Sequence, residues 1–457
     1  MSKSLEGQQL EQLKLPELPD NGLLVVGFSG GADSTALAHW LMGRVQRERV
    51  LLAHVNHMLR GSEADRDQAA AEAFAREQGL KIEVLRVDVG NLARERGMGT
   101  EEWGREVRYG FLHRLAPGDN DRILTAHNAD DNAETMILNL CRGAGLEGLC
   151  GIPRQRGRVL RPLLGVSRKK IEEYCRENGL RYVTDSSNLT DGYTRNKLRH
   201  QVLPVLKGLN PRFIQAAAGT AELLARDRDC LMGQAEALLE GARGLWGLET
   251  KALIREEKSV RSRAVKLFLE RSGGVNLERK HIEEALEILE RGGGTDLPGV
   301  RVSCAQGVLW AGDKAGCGPF EVPAKLGRNP IPGGKCVIIS EKIRGKAENP
   351  GKIQNLLFKN ELDYDIMTGP AASLPGGLAL RSRRPGDRFA PAGREVTKPI
   401  KQVFQELRVP GPIRDSLPLL VCGGEIAWFP GAGASERFKV TERTKRVLVV
   451  EIEDGKG

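Results

Sequence analysis

Gly27-Phe28-Ser29-Gly30-Gly31-Ala32-Asp33-Ser34 is the stretch on which the reading of this chain turns. It follows an apolar run, Leu23 to Phe28, with the length and composition of a buried parallel strand, and it leads into Thr35 to Met42, a helix. A strand, a glycine turn and a helix together make a phosphate cradle. Backbone N–H groups approach the anion closely where no Cβ intervenes, and the helix N-terminus adds the positive end of its dipole. Ser29 and Ser34 can donate hydroxyls, and the carboxylate of Asp33 can hold a magnesium ion. No Lys follows the glycines, so the loop is not the GxxxxGK[ST] cradle that grips terminal phosphates.

Working outward, the first two hundred or so residues alternate strand and helix. Strands are expected at Leu23–Phe28, Val50–Val55, Ile82–Val87 and Arg122–Ala126, and helices at Asp33–Gln46, Ser62–Gln78, Thr100–Leu115 and Asp130–Cys141. That rhythm predicts an α/β fold with a doubly wound parallel sheet, whose ligand sits beyond the carboxyl ends of the strands. The glycine loop lies there, as do His54, Asn56, His57 and His127. From about Asn210 the chain turns helical, with apolar residues at helical spacing over Phe213–Glu240, Val260–Leu269 and His281–Leu289. Short strands are expected within Asp296–Gly312 and at Lys335–Ser340, Gly- and Pro-rich boundaries at Gly316–Lys335 and Gly345–Gln354, and a small α+β domain after them. The expected division is a catalytic domain over 1–210, a mainly helical middle domain with its linker over 211–350, and a C-terminal α+β domain over 351–457.

Composition bounds the function. The 457 residues are 40% hydrophobic and 28% charged, ordinary for a globular protein of several domains. No apolar run approaches the ~18 residues that cross a bilayer, and the first twenty residues lack an apolar signal segment. The eight cysteines (141, 150, 175, 230, 304, 317, 336 and 422) are scattered without a CxxC pair, as in a reduced cytoplasmic protein. A net charge of +9 favours a polyanionic partner.

Three further segments carry chemistry. In Ala53-His54-Val55-Asn56-His57-Met58-Leu59-Arg60, backbone groups at Ala53 and Val55 can read an adenine edge, His57 sits beside the nucleotide, and Arg60 can reach phosphate or RNA. In Thr125 to Thr135, Asp131 and Glu134 stand three residues apart and share a helical face. Acidic residues in a first turn also suit the helix dipole. Carboxylates beside a nucleotide would repel it unless they hold a metal or a cationic substrate, and the cationic substrate is the sharper inference. In Asn188 to His200, Arg195, Asn196, Lys197, Arg199 and His200 form a basic cluster for ATP phosphates or RNA. Upstream, Arg154, Arg156, Arg158, Arg161, Arg168, Lys169 and Lys170 form a second one.

With these segments in hand, the glycine loop resembles the pyrophosphate loop of the PP-loop ATPases. SGGADS, HVNHMLRG, HNADDNAET, GAGLEGLCGI, RPLLGVSRKKI and DSSN with TRNKLRH occur in the order and spacing of the tRNA(Ile)-lysidine synthase family. Arg381-Ser382-Arg383-Arg384-Pro385-Gly386-Asp387-Arg388, Lys398-Pro399-Ile400-Lys401 and Ile426-Ala427-Trp428 resemble its terminal domain. The resemblance implies ATP and Mg²⁺, free L-lysine, and a tRNA(Ile) with a CAU anticodon whose wobble cytidine is adenylated at its C2 oxygen and then attacked by the lysine ε-amine. It implies ATP at Ser29, Gly30, Gly31, Ala32, Asp33, Ser34, Ala53, Val55, His57 and Arg195, with Asp33 holding the metal. Asp33, Asp131 and Glu134 are the implied catalytic residues. Lysine is placed at Asp131 and Glu134 through its ammonium groups and at Arg105 or Arg108 through its carboxylate. tRNA is placed at Arg60, Lys169, Arg199, Arg381, Arg383, Arg384, Arg388 and Lys401, the C-terminal cluster gripping phosphate away from the anticodon. A homodimer is one arrangement this reading leaves open.

A tRNA thiolase of the same superfamily would use paired cysteines or an iron–sulfur cluster, and no CxxC is present. A non-catalytic ATP-dependent RNA-binding protein would have no need of Asp33, Asp131 and Glu134 together.

Overall fold

Leu24–Gly27 (β1) is the central strand of a six-stranded sheet because every neighbour it needs lies on both sides of it. The protein is described here by a computed structural model that covers residues 18, 21–59, 61–183, 194–312, 318–332, 335–343, 360–369, 377–394 and 396–453. The sheet runs β3-β2-β1-β4-β6-β5, with β2 at Val50–Asn56, β3 at Lys81–Arg86, β4 at Arg122–Leu124, β5 at Gln155–Arg156 and β6 at Val159–Leu160. All neighbours pair in parallel except β5 with β6. The four expected strands form within one or two residues of their expected ends. Leu24, Val25 and Val26 are fully buried, as a strand covered on both faces must be.

The helices α1 (Ala32–Met42), α2 (Ser62–Gln78), α3 (Val89–Glu95), α4 (Thr100–Leu115) and α5 (Ala129–Cys141) connect the strands. Of these, α3 is absent from the sequence reading. Its signal is Asp88, whose side chain caps the helix by accepting from the Asn91 amide at 3.1 Å. One face of the sheet packs on α1 through Leu24, Val26, Leu37, Trp40, Leu41 and Leu52, and the other on α4 through Val25, Leu51, Phe111, Leu112 and Ile123. Burial of each such side chain contributes about 1.5–3 kcal/mol, so the strand ends are held firmly.

The sheet changes direction between β1 and β4: the chain winds outward to β3 on one side and to β6 on the other. In an open α/β sheet this is where the loops after neighbouring strands diverge and leave a crevice. The loop after β1 is Phe28–Gly31, and the loop after β4 is Thr125–Asn128. Downstream come α6 (Leu146–Leu149), α7 (Arg168–Glu177), α8 (Thr194–Lys197), α9 (Leu203–Leu209) and the long helix α10 (Phe213–Gly241).

The chain divides into two compact units, Met1–Asp229 and Cys230–Gly457. In the second unit, helices Lys258–Arg271 and Arg279–Arg291 share a core with strands Gly293–Leu297, Val300–Ala305 and Val308–Gly312. Beyond it, a five-stranded and a four-stranded antiparallel sheet enclose Val337, Ile339, Leu380, Leu420, Trp428 and Val450. Glu321–Pro323 already pairs with Leu378–Arg381 in that C-terminal part. Among the described residues no helix is long and apolar enough to cross a membrane, and the seven described cysteines are free thiols.

Candidate active site

The loop after β1 is built as its residue types require. Gly30 has φ +81°, a left-handed backbone that costs glycine nothing. Gly31 has an ordinary φ of −77° and caps α1, and a Cβ there would meet nothing closer than Ser29 Oγ at 3.5 Å. A Cβ there would sit in ordinary contact with Ser29 Oγ and with Val183 O at 3.8 Å, so the glycine is not required for space. The Ser34 hydroxyl donates to Gly31 O at 3.1 Å and accepts from the Ser29 amide at 3.2 Å, which closes the loop on itself. Ser29 is exposed, whereas Ser34 is buried.

Across the crevice, α5 begins with a capping box. Asn128 Oδ1 accepts from the Asp131 amide at 2.9 Å, and Asp131 Oδ2 accepts from the Asn128 amide at 3.0 Å. Asn128 is fully buried, and its Nδ2 reaches over to donate to Asp33 Oδ1 at 2.9 Å. The two carboxylates that the sequence placed on separate motifs, Asp33 and Asp131, thus flank a single residue, Asn128, Asp33 accepting from its side-chain amide and Asp131 from its backbone amide. Burial pushes the Asp33 carboxyl up to about 6, with the negative charge of Asp131 adding to it, while Arg168, Arg199 and the Asn128 hydrogen bond pull the other way.

Glu134 is two per cent exposed, and both its oxygens are engaged: Arg199 Nε donates to Oε1 at 2.7 Å and Nη2 to Oε2 at 3.1 Å. Arg199 Nη2 also stands 3.5 Å from Asp131 Oδ1, and Arg168 Nη2 stands 3.4 Å from the same atom. Burial works against the Arg199 charge, but the hydrogen bond and charge of Glu134, helped by Asp131 and Asp33, hold its proton more firmly than usual. Arg199 is aimed inward by a π-helical turn over Leu198–Val202. Pro204 lies just after that turn and has no N–H to donate to the carbonyl four residues back, which favours the wider turn. The expectation for Arg199 was contact with tRNA; in this structure its guanidinium is the partner of Glu134. Asp130 turns away from the crevice, accepting from the Arg168 amide at 2.9 Å and from Lys207 at 3.0 Å.

A positive wall faces this acidic group. Burial, then the charges of Arg161, Arg108, Arg105 and Arg195, push the His127 imidazole down to about 3, so it is neutral at physiological pH and shares a 3.0 Å hydrogen bond with Thr125. Arg105 and Arg108 stand 5.1 and 5.7 Å from the Tyr109 ring centroid. Surrounding protein loosens the proton of Arg108, although the residue keeps open surface, as a cleft wall does. Among the described residues, the Tyr109 hydroxyl and Trp103 Nε1 are buried without a hydrogen-bond partner. Such orphaned groups mark a place where a polar ligand would complete the bonding.

Ala53 and Val55 lie on β2, where Ala53 O already accepts from the Phe28 amide at 2.9 Å. His57 lies against Gly104 of α4, and His54 is a buried structural residue bonded to Phe28 O at 2.9 Å. Lys169 is exposed on α7, 3.7 Å from Glu173. Arg60 and the stretch 184–193 lie outside the described residues. The upstream basic stretch separates into local pairs: Arg154 with Glu222, Arg158 with Asp119, and Arg161 turned inward to Pro153 O.

In the C-terminal part, Arg381 is four per cent exposed and grips Asp387 with two hydrogen bonds of 2.8 and 2.9 Å. Burial opposes ionisation of Asp387, but Arg381 and the Arg384 amide overcome it and hold the carboxyl below its ordinary range. Arg383 pairs with Asp415 at 2.7 Å, Arg384 pairs with Glu321, and Arg388 donates to Thr397 O at 2.8 Å. Lys401 is exposed on helix Ile400–Glu406. Carboxylates therefore neutralise part of the charge that the sequence left to a polyanion, and Arg381 is an internal brace of the Pro-Gly-Asp turn.

Sequence reasoning gave Asn128 no role at the site and placed Arg161 only in a basic stretch for a phosphate backbone, not beside His127. Asn128 was legible as a helix cap, but its reach to Asp33, 95 residues away, has no local signal. For a metal, the donor set fits magnesium bound together with phosphate: a desolvated Asp33 carboxylate with Asp131 beside it. Among the described residues, no group of three or more acidic, His or Cys side chains could hold a metal by itself.

Comparison with known proteins agrees with this geometry. A family model described as a PP-loop domain matches residues 4–206, and one described as the TilS substrate C-terminal domain matches residues 378–451. The tRNA(Ile)-lysidine synthase of Clostridium tetani is 30% identical to this chain, covering 95% of each. The protein of that name from Symbiobacterium thermophilum is 34% identical over 94% of this chain and 93% of its own. The one from Persephonella marina is 30% identical, covering 98% of this chain and 100% of its own.

Proposed function

The chain belongs to the tRNA(Ile)-lysidine synthase family, and on that premise we propose that it ligates free L-lysine to C2 of the wobble cytidine of a tRNA(Ile) with a CAU anticodon. The observation that carries the reading is the meeting of the SGGADS loop with the acidic start of α5 at the sheet's point of reversal, facing an arginine wall.

The reaction divides into two balanced steps. The cytidine C2 oxygen attacks the α-phosphorus of ATP, and pyrophosphate leaves. The neutral lysine ε-amine then attacks C2, AMP departs with the former carbonyl oxygen, and the nitrogen loses a proton. In the first step the backbone at Gly30 and Gly31 and the exposed Ser29 receive phosphate oxygens, with Arg195 alongside. Magnesium held at Asp33 would supply neutralisation of the phosphate charge.

For the second step, a lysine ε-ammonium with an ordinary pKa of about 10.4 must give up a proton before it attacks. Glu134 has both oxygens on Arg199, so Asp131, whose side chain is 23% exposed, is the carboxylate better placed to meet the ammonium and accept that proton. The lysine carboxylate is assigned to Arg105 or Arg108, next to the unpaired Tyr109 hydroxyl. Arg383, Arg384, Arg388 and Lys401 supply tRNA phosphate contacts in the C-terminal domain, and Lys169 does so beside the active site. The location that follows for such an enzyme is the cytoplasm.

Incubation with labelled lysine, ATP and tRNA tests the proposal. Lysine should enter tRNA(Ile) carrying CAU and not elongator tRNA(Met), with one AMP formed per lysine. Sulfur incorporation, or ATP binding with no lysine transfer, would replace the proposal by one of the two competitors.

A further inference from the structure

Asn128 does two things that a helix cap alone does not require. Capping needs one acceptor for the Asp131 amide, and Ser, Asp or Asn serve about equally well there. Asn128 meets that need with Oδ1 at 2.9 Å. Its other atom, Nδ2, is turned onto Asp33 Oδ1 at 2.9 Å, across the crevice and 95 residues away. Its backbone amide is given to Asp131 Oδ2 at 3.0 Å. Every polar side-chain atom of this fully buried residue is therefore committed to one of two carboxylates or to the peptide that carries one.

The two carboxylates need such a partner. Asp33 opens α1 and Asp131 opens α5, on two elements that no covalent neighbour ties together. The Asn128 side-chain amide fixes where the Asp33 oxygen points, and its backbone amide does the same for Asp131. Asp can cap α5 but cannot donate to Asp33, and Ser can cap it but is too short to reach.

We propose that Asn128 is a positioning residue for the ATP step: it locks the Asp33 carboxylate of the glycine loop to the start of α5, so that loop and helix present one preset acidic edge to magnesium and phosphate. This deepens the reading of Asp33 as an ATP-site residue and rests on it.

The test is a double-substitution cycle read by binding, using the full-length chain. Mg·ATP affinity is measured by titration calorimetry without tRNA for wild type, Asn128→Ser, Asp33→Ala and the double variant, with thermal denaturation of each. Asn128→Ser keeps the cap, so its melting temperature should stay within about 3 °C of wild type, since Ser caps about as well as Asn. Its Mg·ATP affinity should fall ~10-fold, as expected for losing one hydrogen bond to a charged group. Adding Asn128→Ser to Asp33→Ala should change affinity less than ~2-fold, because coupled residues are not additive. Asn128→Asp, which caps α5 but sets a third carboxylate against Asp33, should weaken Mg·ATP at least as much as the Ser variant does.

Additive losses in the cycle, or wild-type affinity in Asn128→Ser, would overturn the proposal and leave Asn128 a plain helix cap. If Asp33→Ala itself bound Mg·ATP like wild type, the reading of Asp33 would fail instead, and the single variant separates the two failures.

Discussion

Replacing Glu134 by Ala should destabilise the N-terminal unit more than any other change at the candidate site. The carboxylate is two per cent exposed and takes two hydrogen bonds from Arg199, whose own side chain is 21% exposed. Removing one partner of a buried ion pair leaves the other charged and desolvated, typically at about 3–5 kcal/mol. Arg199 is not fully buried, and Asp131 Oδ1 lies 3.5 Å away to share its charge, so the cost falls at or below the lower end of that range, about 2–3 kcal/mol. For a unit of this size each kcal/mol moves the midpoint by about 2–4 °C, which gives a fall of about 5–10 °C. Glu134→Gln keeps an acceptor for one guanidinium N–H and should lose roughly half as much. Differential scanning calorimetry at pH 7.5 reads both. A midpoint within 1–2 °C of wild type in Glu134→Ala would refute the reasoning, because it would mean that the Arg199 clamp contributes nothing in solution.

The remaining expectations follow from the same contacts. Asp131→Ala should raise the lysine KM at least ~10-fold while changing ATP-dependent pyrophosphate release less than ~3-fold, because an ammonium loses its counter-charge; equal effects on both would make Asp131 only part of a cap. Asp33→Asn should nearly abolish AMP formation yet stabilise the metal-free protein at pH 7. The folded carboxyl titrates at about 6 against 3.8 unfolded, so the folded state holds the extra proton between those values and this group's penalty grows as pH rises through that window. At about 1.4 kcal/mol per pKa unit, the gain approaches ~3 kcal/mol at pH 7 and vanishes below pH 4; a variant no more stable than wild type at pH 7 would contradict it. His127 acts in the opposite sense, since its depressed pKa gives stability above about pH 6.5 that is lost as pH falls toward 3, so only the wild-type-minus-variant difference isolates Asp33. In the C-terminal domain, joint substitution of Arg383, Arg388 and Lys401 by Ala should lower the slope of log affinity for tRNA against log salt by about 2–3, with ATP binding unchanged. Arg381→Ala should instead lower the melting midpoint of the second unit, because it strands Asp387; an unchanged salt slope in the triple variant would shift the tRNA footprint to Lys169 and its neighbours.

The fold was legible where its signals are local. Leu23–Phe28 is apolar at every position, and only a strand covered on both faces uses such a run so briefly, so β1 and its parallel neighbours could be placed from sequence. Gly30 announced a backbone that other residues resist, and the structure gives it φ +81°. The α3 helix was missed because it is only seven residues long, about two turns, and its marker, Asp88, also suits a turn. Charge patterns were the least legible. Arg381, Arg383, Arg384 and Arg388 look alike in sequence, yet one is an internal brace, two hold surface carboxylates and one caps a carbonyl. Which role each takes depends on Asp387, Asp415, Glu321 and Thr397, and three of these four lie on other elements.

The same limit governs the active site, and it explains why its two halves differ in kind. Residue type was enough to pick out Asp33, Asp131 and Glu134, because a carboxylate beside a nucleotide needs a cation. It was not enough to say which cation each one meets. Glu134 is answered from within the chain by Arg199, which reaches it through a wide helical turn set just ahead of Pro204. Asp33 is met by a hydrogen bond from Asn128 and by the charges of Arg168 and Arg199, and Asp131 by the Asn128 backbone amide and, at Oδ1, by Arg168 at 3.4 Å and Arg199 at 3.5 Å. A buried carboxylate with a full bidentate partner is stable and inert, whereas one whose burial is only partly offset stays ready for an outside charge. The acidic edge is thus divided into a short bidentate pair, Glu134 with Arg199, that fixes the helix, and two carboxylates, Asp33 and Asp131, whose cationic contacts are longer and shared. On that division, loss of Glu134 should register first in the melting curve, and loss of Asp33 or Asp131 first in the binding of metal, ATP and lysine.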